Sequence, residues 1–205
     1  MSKKKQLLLL RIITHVGSLI PLVVMAWDFY FQQLGPEPIR ELTFRTGKTA
    51  LILLFLSLAG TPVSTLGWKI ILPLRKPLGL YGFLYVCLHL AIFVVSYGVV
   101  SNLFQWQYVW EEALFRRYAV VGLIAFALLV PLAATSTNWA MRKLGKNWKR
   151  LHRLVYVVAI LAVVHYFWLA KLSEYNKPIF YAVILAVLFL FRLPPVRQRV
   201  LAWRK

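Results

Sequence analysis

Histidines are the side chains of this sequence best suited to chemistry, and the chain has only four of them. They are His15, His89, His152 and His165, and each lies in or at the end of an apolar stretch. Ionisable groups in such stretches are costly and usually have a function. A neutral imidazole nitrogen is a good axial ligand for haem iron, and a haem needs the apolar and aromatic walls that this chain supplies. All four are therefore candidate cofactor-binding residues.

Other chemistries find less support in the sequence. No set of cysteines and carboxylates accompanies the histidines to complete a tetrahedral zinc site. The lone Cys87 cannot form a disulfide within the chain and is interpreted as a small buried hydrophobe. Glu111 and Glu112 are neighbours in a predicted solvated loop, so paired-carboxylate catalysis is not supported. Nucleophile-elbow and phosphate-loop motifs are also missing, and we predict no catalytic residue in this chain.

Hydropathy predicts the elements that position these histidines. The 205 residues are 60% hydrophobic, with a mean hydropathy of +0.68, which is too apolar for a soluble domain of this size. Six apolar segments have about the length of a bilayer-spanning helix, and they lack the alternation of barrel strands. The segments are roughly 11–31, 49–66, 79–100, 118–136, 151–170 and 178–193. The prediction is an all-α membrane protein, with residues 1–205 forming a single domain of six transmembrane helices.

The charge distribution predicts the orientation of the chain. If the N-terminus is cytoplasmic, 18 of the 25 basic residues lie on that side, and the other side has seven basic residues and all six acidic ones. Such a bias places both termini in the cytoplasm. The net charge of +19 therefore indicates contact with membrane lipid rather than nucleic acid. A cleaved signal peptide is the alternative for the N-terminus, but the run is long for one and its removal would discard His15.

Depth in the membrane divides the histidines into two layers. His152 begins the fifth segment, and His165 lies thirteen residues further, about 20 Å along a helix. His89 is about 15 Å into the third segment, whereas His15 is only about one turn inside the first. The predicted layers are His89 with His165 and His15 with His152. Two haems at these depths would form an electron path across the membrane.

The rotation of an ideal helix adds a constraint on the partners. Thirteen residues turn a helix by about 220°, so His152 and His165 are predicted not to share a partner helix. If the third segment supplied both partners, a second ligand would be expected near Arg75 and Lys76. His15 is then the one histidine left to pair with His152.

Each histidine also has a structural interpretation. A single transmembrane histidine more often hydrogen-bonds to a neighbouring helix than binds a metal. His152 is flanked by basic residues and could contact lipid headgroups, and the structural or interfacial interpretation is favoured for His15. Matched depth on different segments favours ligation for His89 and His165.

Three stretches of the sequence resemble the MsrQ (YedZ) family. They are FRTGKTALILLFLSLAGTP, RKPLGLYGFLYVCLHL and TSTNWAMRKLGKNWKRLHRLVYVVAILAVVHYFW. That family is the haem-binding membrane subunit of a bacterial methionine sulfoxide reductase system, and it is related to the ferric reductase-like transmembrane domain. The resemblance covers nearly the whole chain and includes the spacing around three of the histidines.

The resemblance implies a b-type haem bound through His89, His152 and His165 in the bacterial inner membrane. It implies electron transfer from the quinol pool or a cytosolic flavin reductase to a periplasmic molybdopterin subunit, MsrP, and FMN binding is associated with the family. Two-haem ferric reductases have a second histidine in the third span, and this chain lacks it. The ligands of a haem on the cytoplasmic side, and the number of haems, therefore stay open.

Two other functions remain alternatives at this point. A stand-alone transmembrane reductase for ferric iron or another small acceptor would need a nicotinamide and flavin domain, for which this sequence has no residues to spare. A non-redox membrane scaffold or transporter would use its histidines structurally.

Overall fold

The computed structural model describes residues 2–100 and 103–203, and almost all of the regular structure there is helical. Its α-helices are α1 (Lys3–Tyr30), α2 (Pro38–Thr65), α3 (Arg75–Gly98), α4 (Trp106–Phe115), α5 (Arg117–Ala134), α6 (Asn138–Leu144), α7 (Lys146–Leu151), α8 (Leu154–Leu169), α9 (Asn176–Leu190) and α10 (Pro194–Ala202). Short 3-10 helices span Lys69–Leu74 and Leu172–Glu174. Two strands, β1 (Val99–Val100) and β2 (Leu103–Phe104), pair antiparallel with Val99 opposite Phe104. The helical class is confirmed, with this small ladder as an addition.

The membrane-spanning prediction is confirmed in its coarser form. Five helical segments are long and apolar enough to cross a bilayer: α1, α2, Lys69–Gly98, α5 and Lys146–Leu169. The pair α9 and α10 passes the same test together but bends by 69°, so there are up to six candidate spans among the described residues. The count of six and the cytoplasmic termini stay predictions. Arg204 and Lys205, which belong to the predicted cytoplasmic charge, lie outside the described residues.

Helix α2 begins well before the apolar segment predicted at 49–66. Pro38 occupies its first turn, where the missing N–H of proline would have no helical partner in any case. The polar residues that follow continue the helix, and Thr43, Thr46 and Thr49 donate their hydroxyls to carbonyls three or four residues back. Hydropathy marks the part of a helix that suits lipid, whereas hydrogen bonding decides where the helix itself begins.

The helices fall into two compact units, and the single-domain prediction is not tested by this division. The first unit runs up to Tyr85 and resumes at Ile184, and the second is Val86–Val183. In the first unit, α2 supplies much of the buried apolar surface, with Leu58 only 2% exposed. Tyr85 is fully buried there and donates to the Ser18 carbonyl at 2.8 Å, which joins α3 to α1.

Arg192, which follows α9, replaces a backbone hydrogen bond that a proline removes from α2. Pro62 has no N–H, so the Leu58 carbonyl lacks its usual helical donor. Arg192 donates to that carbonyl through Nη2 at 2.5 Å, and to the Leu188 carbonyl through Nη1 at 3.1 Å. Arg192 thus has a structural role in addition to its place in the predicted cytoplasmic charge.

In the second unit, α5 and α8 pack antiparallel along each other. Tyr118 at the start of α5 contacts His165 near the end of α8, and Thr135 at the end of α5 contacts His152 just before α8. Helix α4 lies on α5 and buries Val109. The α5–α8 pair is the scaffold of the candidate site.

Candidate functional site

The structure brings the His89 and His165 rings together. His89 projects from α3 and His165 from α8, and their ring centroids lie 6.1 Å apart with the planes at 88°. Two imidazoles bound to one metal ion from opposite sides, through bonds of about 2 Å each, have centroids about 6 Å apart. The pair therefore has a spacing that fits two axial ligands of one iron. This is the pair that depth matching predicts.

The His165 ring is held by a backbone carbonyl at the start of α5. Its Nδ1 lies 2.6 Å from the Tyr118 oxygen, and a carbonyl can only accept, so Nδ1 carries the proton. The lone pair of the neutral ring is then on Nε2. Metal-binding histidines commonly have this arrangement, in which the second nitrogen donates to a carbonyl or carboxylate that fixes the tautomer and the ring orientation.

Tyr118 is itself held from two other helices. Its hydroxyl donates to Glu112 of α4 and lies 3.3 Å from the Tyr97 hydroxyl of α3. Arg116 donates to the same carboxylate at 3.3 Å, and only 14% of the Glu112 side chain is exposed. The interpretation of Glu112 as part of a solvated loop is wrong, because the residue lies in α4 and its carboxylate accepts these bonds.

His152 has a different environment at the opposite end of α5. Its Nε2 lies 3.1 Å from the Thr135 hydroxyl, which donates its single proton to the Pro131 carbonyl at 2.6 Å, so Nε2 is the donor to Thr135. Trp148 stacks on the imidazole at a centroid distance of 4.0 Å and donates its indole N–H to the Thr135 carbonyl at 3.0 Å. The His152 and Trp148 side chains therefore cap the C-terminal end of α5.

Both His152 and His165 hydrogen-bond to α5, although the rotation of an ideal helix would point them to different sides. Which helix supplies the second haem ligand for each histidine stays a prediction. The rotation of about 220° assumes one continuous helix. In the structure α7 ends at Leu151 and α8 begins at Leu154, which leaves His152 at the break. The direction of its side chain is set by the turn between the two helices.

His15 lies on the surface of α1 in the first unit. Its Nδ1 is 3.0 Å from the Tyr81 hydroxyl of α3, and the two rings meet edge to face at 5.6 Å. His152 belongs to the second unit, so the pairing of His15 with His152 stays a prediction.

The His89 and His165 imidazoles suit a metal ion whose other ligands come from a cofactor. Among residues 2–100 and 103–203, no group of three or more His, Cys, Asp or Glu side chains could hold a metal ion. The porphyrin of a haem supplies four equatorial nitrogens, so two imidazoles are a sufficient contribution from the protein. The His89–His165 pair meets that requirement, and a tetrahedral zinc site has no counterpart in the described chain.

Sequence reasoning found the two histidines but missed Tyr118 and Gly122, which surround the His165 ring from α5. A partial signal was available, since both residues stand in the first turns of the fourth apolar segment, at the depth expected for His165. Which helix faces His165 depends on packing, so the sequence alone does not identify these two residues as its neighbours.

Comparison with known proteins identifies first the broad class of membrane protein and then the family of this chain. Residues 46–163 match the family described as ferric reductase like transmembrane component, which is more than half of the chain and includes His89 and His152. A "protein-methionine-sulfoxide reductase heme-binding subunit MsrQ" from Xanthomonas axonopodis pv. citri is 41% identical over 187 residues, 88% of this chain and 84% of that relative. Proteins of the same name from Rhodospirillum rubrum and Xanthomonas oryzae pv. oryzae are 43% and 39% identical, over 92% and 94% of this chain and 90% and 85% of those relatives. The chain belongs to the MsrQ family, as its sequence resemblance predicts.

Proposed function

We propose that this chain is a transmembrane b-type cytochrome that binds haem between His89 and His165. It relays electrons from the cytoplasmic side or the quinol pool to a periplasmic molybdopterin subunit, MsrP, which reduces methionine sulfoxide in oxidised proteins. The observation that carries the proposal is the 6.1 Å approach of the two imidazoles, with Nδ1 of His165 committed to the Tyr118 carbonyl. The names of the relatives, which are haem-binding subunits of a methionine sulfoxide reductase, support it.

The residues of the chain have separate tasks in this proposal. His89 and His165 present imidazole nitrogens to the iron, and the Tyr118 carbonyl keeps the proton on Nδ1 of His165. A haem held in this way accepts and donates one electron. The site for methionine sulfoxide is on the partner subunit, so this chain needs no catalytic residue of its own.

The wider arrangement is part of the proposal. The chain is a single domain in the bacterial inner membrane, with six spans and both termini cytoplasmic, and the asymmetry of basic residues supports this orientation. A second haem, nearer the cytoplasm, uses His152 with His15 as its partner. A flavin reductase or the quinol pool is the donor, and FMN binding is carried over from the family resemblance alone.

Purified protein in detergent, with purified partner subunit, tests this function. We expect a Soret band with split α and β bands, and oxidation of the reduced haem when both the partner and methionine sulfoxide are added. The His165→Ala variant should lack the responding haem, and Cys87→Ala, on α3 near His89, should behave as the unmodified protein. Protein without a Soret band would indicate a non-redox scaffold. Oxidation by a ferric chelate but not by the partner would indicate a stand-alone reductase.

A further inference from the structure

Gly122 lies directly beneath the His165 ring. A Cβ atom built on Gly122 would be 2.8 Å from Nδ1 and 3.0 Å from Cε1 of His165. These are atoms of a rigid ring and are closer than packed carbon atoms normally come. By contrast, a Cβ built on Gly17 of α1 meets no atom within 4 Å. The missing side chain therefore leaves space that the imidazole uses.

The position of Gly122 follows from the hydrogen bond that His165 makes. Tyr118 is four residues before Gly122, and in an α-helix its carbonyl points toward the N–H of residue 122. The carbonyl has a second lone pair, which accepts Nδ1–H of His165 at 2.6 Å. A ring that reaches this carbonyl must lie against residue 122, and a side chain there would take the place of the ring.

We propose that Gly122 and the Tyr118 carbonyl form a seat for His165 that sets both its tautomer and its direction, so that Nε2 is presented to the iron. The inference rests on the proposed haem function and adds Gly122 as a positioning residue that itself has no contact with the iron. The seat acts on one side of the His89–His165 pair, since both of its parts belong to α5.

Enlarging residue 122 removes the seat while leaving both histidines in place. In Gly122→Ala the added methyl moves the imidazole away from the carbonyl, and Nδ1 loses its acceptor. Loss of such an outer partner typically lowers metal affinity by about 10- to 100-fold. Alanine is also a better helix former than glycine, so α5 itself should persist.

The test compares Gly122→Ala with Gly17→Ala, each purified with haem. We expect Gly122→Ala to weaken haem binding by about 10- to 100-fold and to shift the iron from the low-spin spectrum of two imidazoles toward a high-spin spectrum. The Gly17→Ala variant should match the unmodified protein in both measurements. Equal spectra and equal affinities for Gly122→Ala and Gly17→Ala would overturn the role of Gly122.

A second experiment separates ring positioning from general damage to the helix pair. In His165→Gly, external imidazole can replace the missing side chain and restore the two-imidazole spectrum. A free imidazole is not attached to α8 and can shift away from the added methyl, so His165→Gly combined with Gly122→Ala should regain the same spectrum, but at a higher imidazole concentration because the carbonyl partner is lost. A double variant that regains no spectrum at any imidazole concentration would show that Gly122→Ala disrupts the bundle, and the seat would be rejected. If the unmodified protein binds no haem, or His165→Ala keeps its spectrum, the proposed function fails instead.

Discussion

The two ends of the α5–α8 pair each hold a histidine, but they use it in different ways. At one end, His165 donates Nδ1–H to a carbonyl and faces a second imidazole. At the other end, His152 donates Nε2–H to Thr135 and stacks on Trp148. The first arrangement leaves the Nε2 lone pair of His165 for a metal, whereas in the second Nε2 of His152 donates its proton to the Thr135 hydroxyl. Histidines on the same helix pair therefore differ in which ring nitrogen carries the proton, because the hydrogen-bond partner of each ring selects its tautomer.

The same comparison applies to the groups that support each ring. Tyr118, which holds His165, is itself bonded to Glu112 and Tyr97 from two other helices. Thr135, which contacts His152, is bonded to Pro131 within its own helix and to Trp148 from the following segment. The His165 end is thus held by three helices besides α8, which suits a ring that must keep a precise position.

The largest expected effect is that the His165 end and the His152 end of the α5–α8 pair lie on opposite sides of the membrane. Reporter fusions after residue 110 should be periplasmic, and fusions after residue 146 or at the C-terminus should be cytoplasmic. The reason is that most basic residues lie on the same side of the membrane as the N-terminus in this topology. The measurement is the activity of paired reporters that work on opposite sides of the membrane. A cytoplasmic signal at residue 110 would reverse the assignment of the His165 end to the periplasmic side.

The next effect is complete loss of one haem from the His165 end. His89→Ala and His165→Ala should each remove the same spectroscopic haem, since either change leaves the iron without one axial ligand. The double variant should lose no more than either single one, because both residues serve one centre. Haem per protein and the redox difference spectrum measure this. A spectrum that survives in one of the two single variants would separate the histidines.

A partial loss of haem is expected at the His152 end. His152→Ala and His15→Ala should perturb the same second haem and leave the His89–His165 centre intact, and electron entry from the cytoplasmic side should slow. Thr135→Val, which removes the hydroxyl beside His152, serves as the control for a purely structural effect. A full haem complement in both histidine variants, with lowered thermal stability in His152→Ala and Thr135→Val alike, would assign His152 to closure of α5.

The smallest effect is expected from Tyr118→Phe. This change removes the hydroxyl bonds to Glu112 and Tyr97 but keeps the carbonyl that holds His165. The cost should be roughly 1–3 kcal/mol of stability, because buried hydrogen-bonding groups lose a partner, and the haem spectrum should stay unchanged. Thermal unfolding in detergent and the Soret band measure the two consequences. A large spectral change would show that the side chain of Tyr118, and not only its carbonyl, positions the ring.

Several features were accessible from residue types and spacing. Continuous apolar runs predicted helices because a bilayer leaves backbone groups no other partners, and five to six candidate spans agree with this. The rise of 1.5 Å per residue was sufficient to match His89 with His165 in depth, since both stand within uninterrupted helices. The same reasoning misjudged the direction of His152, because a turn between α7 and α8 interrupts the helix there.

By itself, the sequence determined the helical membrane class, the family and the histidines worth testing, since hydropathy, composition and motif spacing are properties of the chain alone. Tertiary structure decided which groups hold those histidines. The partners of His165 and His152 are a backbone carbonyl and a hydroxyl on α5, and no local pattern around either histidine identifies them. Gly122 acquires its meaning in the same way, because a glycine within an apolar run is unremarkable until a ring from another helix packs against it.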